Sequence, residues 1–133
     1  MDHFAYKDGQ YHAEGVSVAR LAEEIGTPFY CYSSATLTRH FDVFKDSFKT
    51  LNPKICFATK ANGNLGVIAT LARAGAGADV VSMGEIMLAE KAGVKPQDIV
   101  FSGVGKTAEE MAYGLKRGIF QFNVESEPEL RLL

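Results

Sequence analysis

The feature that most constrains this chain is a repeat. Short apolar runs at 55–58, 78–82, 99–102 and 120–124 recur every 21 to 23 residues, and a helical pattern follows each. The first run, 55–58, lacks apolar–polar alternation, as expected for a strand covered on both faces. Repeated strand–helix units of this length give parallel strands joined by helical crossovers. Two architectures accommodate them, a doubly wound open sheet and a closed (β/α) barrel. The regularity from unit to unit favours the barrel. The expected fold class is therefore α/β, the N-terminal part of a (β/α)8 TIM-like barrel of about four βα units. A complete barrel takes eight strands and about 250 residues, and the chain has 133. The expectation is the N-terminal portion of a longer protein, cut within the barrel.

Local signals set the boundaries. A helix is predicted over 35–51, with Leu37, Phe41, Phe44 and Phe48 as one core-facing stripe and Pro53 as its stop. A second helix spans 65–74 and ends before Gly75. Ser82-Met83-Gly84-Glu85 and Thr107-Ala108-Glu109-Glu110 both have the spacing of a capping box, so each opens a helix. Ser126 with Pro128 opens a further helix. Residues 1–35 read differently from 36–133. Residues 4–13 form a hairpin around Asp8-Gly9, a strong two-residue turn signal. Ser17 caps a short helix stopped by Gly26, and Thr27-Pro28 leads into an extended stretch.

Composition narrows the function classes. A formal net charge of -2 gives no electrostatic footprint for nucleic acid or an anionic membrane. No apolar run reaches the roughly 18 residues of a spanning helix. The start, Met1-Asp2-His3-Phe4, lacks a signal-peptide pattern. Cys31 and Cys56 have no metal-ligand spacing and read as free thiols. Together these imply a soluble, cytoplasmic protein without a metal centre. His3, His12 and His40 have no ligand-spaced partners and read as surface residues.

The chemistry concentrates in Phe57-Ala58-Thr59-Lys60-Ala61-Asn62-Gly63-Asn64. Lys60 stands where an apolar strand gives way to a small, polar loop. In barrels that end of the sheet carries the active site. A lysine there is either solvated or a nucleophile. In a partly dry pocket it loses proton affinity and can form a Schiff base with an aldehyde cofactor. Asp79 lies in the next apolar strand, and a carboxylate there needs a cation or donors nearby. It either faces Lys60 or is a hydrogen-bonded core aspartate. Ser82 and Glu85 read first as capping residues. Gly103-Val104-Gly105-Lys106 lacks the full phosphate-loop spacing and reads as a loop lining the site.

The lysine segment resembles the motif Tyr-Ala-Val-Lys-Ala-Asn of the pyridoxal-phosphate decarboxylases of the fold-type-III barrel, with Phe57 and Thr59 in place of Tyr and Val. Four other stretches agree in order and spacing: 26–32, 77–85, 101–107 and 122–126. Within that family the combination resembles the diaminopimelate decarboxylase branch more than the ornithine or arginine decarboxylases. The resemblance implies pyridoxal 5'-phosphate as cofactor and decarboxylation of meso-diaminopimelate to L-lysine. It implies that Lys60 holds the cofactor, that Ala58 leaves room for the ring, and that Asp79 lies close to the point of attachment. It also implies a small amino-acid substrate, a homodimer at full length, and no nucleic-acid or membrane partner. Residues 1–35 would pack with a second, C-terminal β-domain. The phosphate-binding glycines, the acid facing the ring nitrogen and the ring-stacking histidine would lie beyond residue 133, leaving the 133-residue chain inactive by itself. Alternatives are another decarboxylase or a racemase of the same fold, a non-catalytic cofactor-binding relative, or a half-barrel acting as an interaction module.

Overall fold

The computed structural model describes residues 2–133. Strands β1 (Phe4–Lys7), β2 (Gln10–Ala13) and β3 (Val16–Ser17) form an antiparallel sheet, followed by helix α1 (Val18–Ile25). Helix α2 (Ser34–Ser47) leads to β4 (Cys56–Ala58). Then come α3 (Leu65–Ala74), β5 (Gly77–Val80), α4 (Met83–Lys91), β6 (Ile99–Phe101), α5 (Ala108–Arg117), β7 (Gln121–Phe122) and α6 (Glu127–Leu132).

The second sheet is parallel, in the order β4-β5-β6-β7. Strand order equals chain order throughout. A doubly wound sheet reverses at a switch point, and this one does not. The arrangement is TIM-barrel-like. Alternation within the strands separates its two faces. Ala78, Val80, Ile99 and Phe101 are fully buried and pack with Ile68 of α3 and with Ile86 and Ala89 of α4. Burying a side chain such as Ile or Phe contributes roughly 1.5–3 kcal/mol, so this helix-covered face is the main core. Asp79 and Val100, on the other face, are only half-buried.

Two glycines allow the close approaches this packing needs. A Cβ on Gly77 would collide with the backbone carbonyl of Asp98 and lie 2.8 Å from Cys56 Sγ. A Cβ on Gly114 would lie 2.8 Å from the Phe122 ring, so glycine lets α5 rest directly on β7. Cys31 and Cys56 are both free, and burial pushes the Cys56 thiol above its ordinary value.

The structure corrects the expected α2. It ends at Ser47, not 51, and turns carry the chain toward Pro53. Of its phenylalanines only Phe41 is core, packed with Val67, Leu71 and Ala76. Phe44 and Phe48 are 54% and 38% exposed and meet each other edge-on at 5.1 Å. Helical spacing defines a stripe, but a partner must cover it. Among the described residues α3 covers only the Phe41 end. The hairpin turns through Asp8 and Gly9, both at positive φ, as expected. Its continuation into β3 has too few residues to leave a pattern. Ser17 sits at the N-cap of α1, but its hydroxyl makes no capping bond. No helix among the described residues is long and apolar enough to cross a membrane.

Glu14 ties the small sheet to α2. Its Oε1 accepts from Ser33 Oγ at 2.7 Å, from the Ala35 N–H at 3.0 Å and from Ser34 Oγ at 3.3 Å. These donors, the Ala35 N–H foremost, hold its carboxyl below the ordinary value of 4.5. The Thr107 and Met83 N–H groups do the same for Glu110. A lowered folded value contributes stability above the unfolded value, and that stability disappears as pH falls through the folded one. The urea midpoint should therefore fall as pH drops below about 4.5. Glu14→Gln and Glu110→Gln should each flatten that acid limb while lowering the plateau at neutral pH. An unchanged slope in both variants would contradict these roles.

Candidate active site

The site is built where β4 to β7 end. Ala58 and Asp79 are register partners on adjacent strands. Just past Ala58, residues Thr59–Ala61 form one 3-10 turn, closed by the Asn62 N–H donating to the Thr59 carbonyl at 3.1 Å. Two asparagines then hold the chain. Asn62 Oδ1 accepts from the Asn64 N–H at 3.0 Å, and Asn64 Oδ1 accepts from Gly66 and Val67 at the start of α3. Asn64 is a good N-cap because its oxygen satisfies N–H groups that have no partner within the helix. The small polar residues around Lys60 are thus first of all a turn and a helix cap.

Lys60 lies in the middle of that turn and is exposed. Its amine has no hydrogen bond or ion pair among the described residues. The dry pocket expected from the sequence is not supplied by these residues. An apolar groove of 360 Å³ runs along the free edge of β4, between Leu37, Phe41, Ile55, Phe57 and Leu71, and Lys60 does not line it.

Asp79 has a different partner. Its Oδ1 accepts from Ser102 Oγ at 2.5 Å, and Ser102 Oγ accepts from Asn123 Nδ2 at 3.0 Å. The three side chains form a hydrogen-bonded row across the ends of β5, β6 and β7. Asp79 makes no ion pair with Lys60 among the described residues. Ser102 and Asn123 were not singled out from sequence as polar groups of the site. Each lies just past the last strand residue, Phe101 or Phe122, yet inside the runs 99–102 and 120–124 that read as strand from sequence.

Thr59 is 1% exposed, a buried polar residue at this edge. Its hydroxyl lies 2.5 Å from Glu85 Oε2 and 3.1 Å from the Asp79 carbonyl oxygen. The Val81 N–H also donates to Glu85 Oε2, at 2.9 Å. The capping expectation for Glu85 is corrected here. Ser82 does cap α4, accepting from the Glu85 N–H at 3.2 Å, but the Glu85 carboxylate does not reach back to Ser82. Thr107 and Glu110 do complete both arms of the box. Glu110 also accepts from the Met83 N–H at 3.1 Å, joining the starts of α4 and α5.

Lys106 is not a lining residue, contrary to its sequence reading. Its amine donates to the Gly103 carbonyl at 2.5 Å, the Asn123 carbonyl at 2.7 Å and Glu129 Oε1 at 2.6 Å. The side chains of Lys106 and Glu129 are 1% and 9% exposed. This buried pair clamps the loop after β6 to the end of β7 and to α6. The edge therefore carries two lysines of opposite kind, Lys60 exposed and without a partner among the described residues, and Lys106 buried and fully engaged.

Residues 34–133 match the family described as pyridoxal-dependent decarboxylase, pyridoxal binding domain. The chain is similar to diaminopimelate decarboxylase of Vibrio cholerae, with 54% identity over 100% of this chain and 32% of that protein. It is 47% identical to diaminopimelate decarboxylase of Pseudomonas aeruginosa, over 100% of this chain and 32% of that one. Among solved structures it resembles diaminopimelate decarboxylase from Helicobacter pylori complexed with L-lysine. There the TM-score is 0.83 and the identity 46%, covering 86% of this chain and 29% of that one. The chain spans about a third of the length of the curated relatives it matches.

Proposed function

Because the chain belongs to the pyridoxal-dependent decarboxylases, whose pyridoxal-binding domain its residues 34–133 match, we propose that it carries the cofactor-holding lysine of a diaminopimelate decarboxylase. The reaction proposed for the whole protein releases CO2 from meso-diaminopimelate and leaves L-lysine. The observation that carries this reading is the lysine edge itself, Lys60 on a capped turn beside the Ala58–Asp79 register pair.

The residues present fit pyridoxal phosphate. An aldehyde needs an amine that is not already committed, and Lys60 is exposed. Ala58 and Gly63 leave space beside it. Asp79 provides a half-buried carboxylate held in place by Ser102. When bound, the cofactor supplies an electron sink for the bond to the departing carboxylate. The chain's own residues hold and orient. Lys60 attaches the cofactor, Ala58 admits its ring, and Asp79 places a negative charge at the end of β5. The row Asp79–Ser102–Asn123 keeps that carboxylate from turning away. The Lys106–Glu129 pair ties the loop after β6 to the end of β7 and to α6.

The same proposal extends to the assembled protein. Residues 36–133 form the first half of an eight-stranded barrel, and residues 1–35 pack with a second β-domain. The full-length protein is a cytoplasmic homodimer acting on a small amino acid, without nucleic-acid or membrane partners. That the Helicobacter pylori structure is a complex with L-lysine supports a lysine-like product. The test is CO2 release by the full-length protein from meso-diaminopimelate, ornithine and arginine in parallel. A site built for the second amino-acid group of diaminopimelate should prefer it by about a hundredfold or more in kcat/KM. Preference for ornithine or arginine would overturn the substrate assignment.

A further inference from the structure

Glu85 has the sequence position of a capping residue and does not use it. Thr107 and Glu110 show that the same spacing closes a reciprocal box in this fold. At Ser82 the box is half open, because the Glu85 carboxylate is directed to the Thr59 hydroxyl at 2.5 Å and the Val81 N–H at 2.9 Å. A residue that forgoes its local role implies a competing one. Thr59 immediately precedes Lys60 and is almost completely buried. Its hydroxyl is the one side-chain contact by which the Thr59–Ala61 turn is bonded to β5 and α4 among the described residues. A hydroxyl carries one proton, so it donates to one acceptor at a time. The Glu85 carboxylate is the closer acceptor, at 2.5 Å against 3.1 Å for the Asp79 carbonyl.

We propose that Glu85 is a positioning residue for Lys60: acting through the Thr59 hydroxyl, it fixes the turn from which the lysine projects. It deepens the functional reading above and rests on it. Glu85 does not touch the reacting atoms. It holds Thr59 from one side while the Val81 N–H anchors the same carboxylate oxygen to the end of β5. The direction of the Lys60 side chain is thus set by the strand that carries Asp79. The resemblance motif has Val in place of Thr59, so this link belongs to the present sequence.

The test uses the full-length protein freed of cofactor. Pyridoxal phosphate is added, and borohydride at timed intervals traps what has attached to Lys60, quantified by peptide mass. Thr59→Val keeps the volume and removes the hydroxyl. Glu85→Ala removes the acceptor. Each should slow attachment on the order of tenfold, the size of one charge-assisted hydrogen bond. Thr59→Ser and Glu85→Gln, which keep an oxygen in place, should recover most of the rate. The double variant should be no slower than the slower single one, because the two act as one unit. A purely structural pair would lower thermal stability and leave the attachment rate of the folded protein unchanged. Wild-type rates in both Thr59→Val and Glu85→Ala, with label still on Lys60, would overturn this proposal alone. If Thr59→Val folds poorly, the Glu85 variants decide the matter independently. Label on another lysine in the unsubstituted protein would overturn the functional reading and this inference with it.

Discussion

Lys60→Ala should abolish cofactor attachment and lower kcat by roughly a thousandfold or more, because a covalent anchor has no substitute in the turn. The fold should not notice. Lys60 is exposed and makes no hydrogen bond or ion pair among the described residues, so stability should stay within about 0.5 kcal/mol. This separation of effects is the signature of a chemical residue on a rigid scaffold. The absorbance of attached cofactor should vanish in Lys60→Ala and persist in variants of the other lysines. A Lys60→Ala protein that keeps its absorbance and most of its turnover would contradict the assignment.

Lys106→Met should do the reverse. Its amine satisfies two carbonyls and the Glu129 carboxylate in a nearly closed environment. Removing it strands a buried carboxylate and two carbonyl oxygens. Breaking one side of such a pair costs about 3–5 kcal/mol. Removing both charges, as in Lys106→Met with Glu129→Leu, should recover much of that loss, since a buried pair can be replaced by apolar contacts. Urea denaturation checks both variants. Loss of less than about 1 kcal/mol in Lys106→Met would place the pair among weak surface bridges. Folded Lys106→Met should still attach cofactor at Lys60.

The parallel sheet was legible because its signal is periodic. Runs such as 78–82 and 99–102 are mostly apolar, recur at a fixed interval and are punctuated by glycine and capping residues, which local pattern alone reads well. The hairpin was legible for a similar local reason, the Asp8-Gly9 turn. The end of α2 was not. Phe44 and Phe48 continue the helical stripe in sequence, but burial depends on what lies across from them, and sequence spacing carries no such information. The site divides in the same way. Lys60 stood out because it follows an apolar strand and Asp79 because it breaks one, whereas Ala58 entered as a small neighbour of Lys60 and through the family resemblance. Ser102, Asn123, Thr59 and Glu85 act through side chains that meet across strands 20 or more residues apart. Each looked ordinary in its own segment. The capping spacing at Ser82 even concealed Glu85, since the local rule offered a complete explanation. Lys106 was concealed by its glycine-rich neighbours, and its partner Glu129 lies 23 residues away on another helix.

The central claim is that Lys60 holds the cofactor at the carboxyl edge of this sheet. Borohydride reduction of the full-length protein with pyridoxal phosphate bound, followed by peptide mapping, tests it most directly. The account expects a single modified lysine, Lys60. Modification at Lys106 or any other lysine, with Lys60 unmodified, would contradict it.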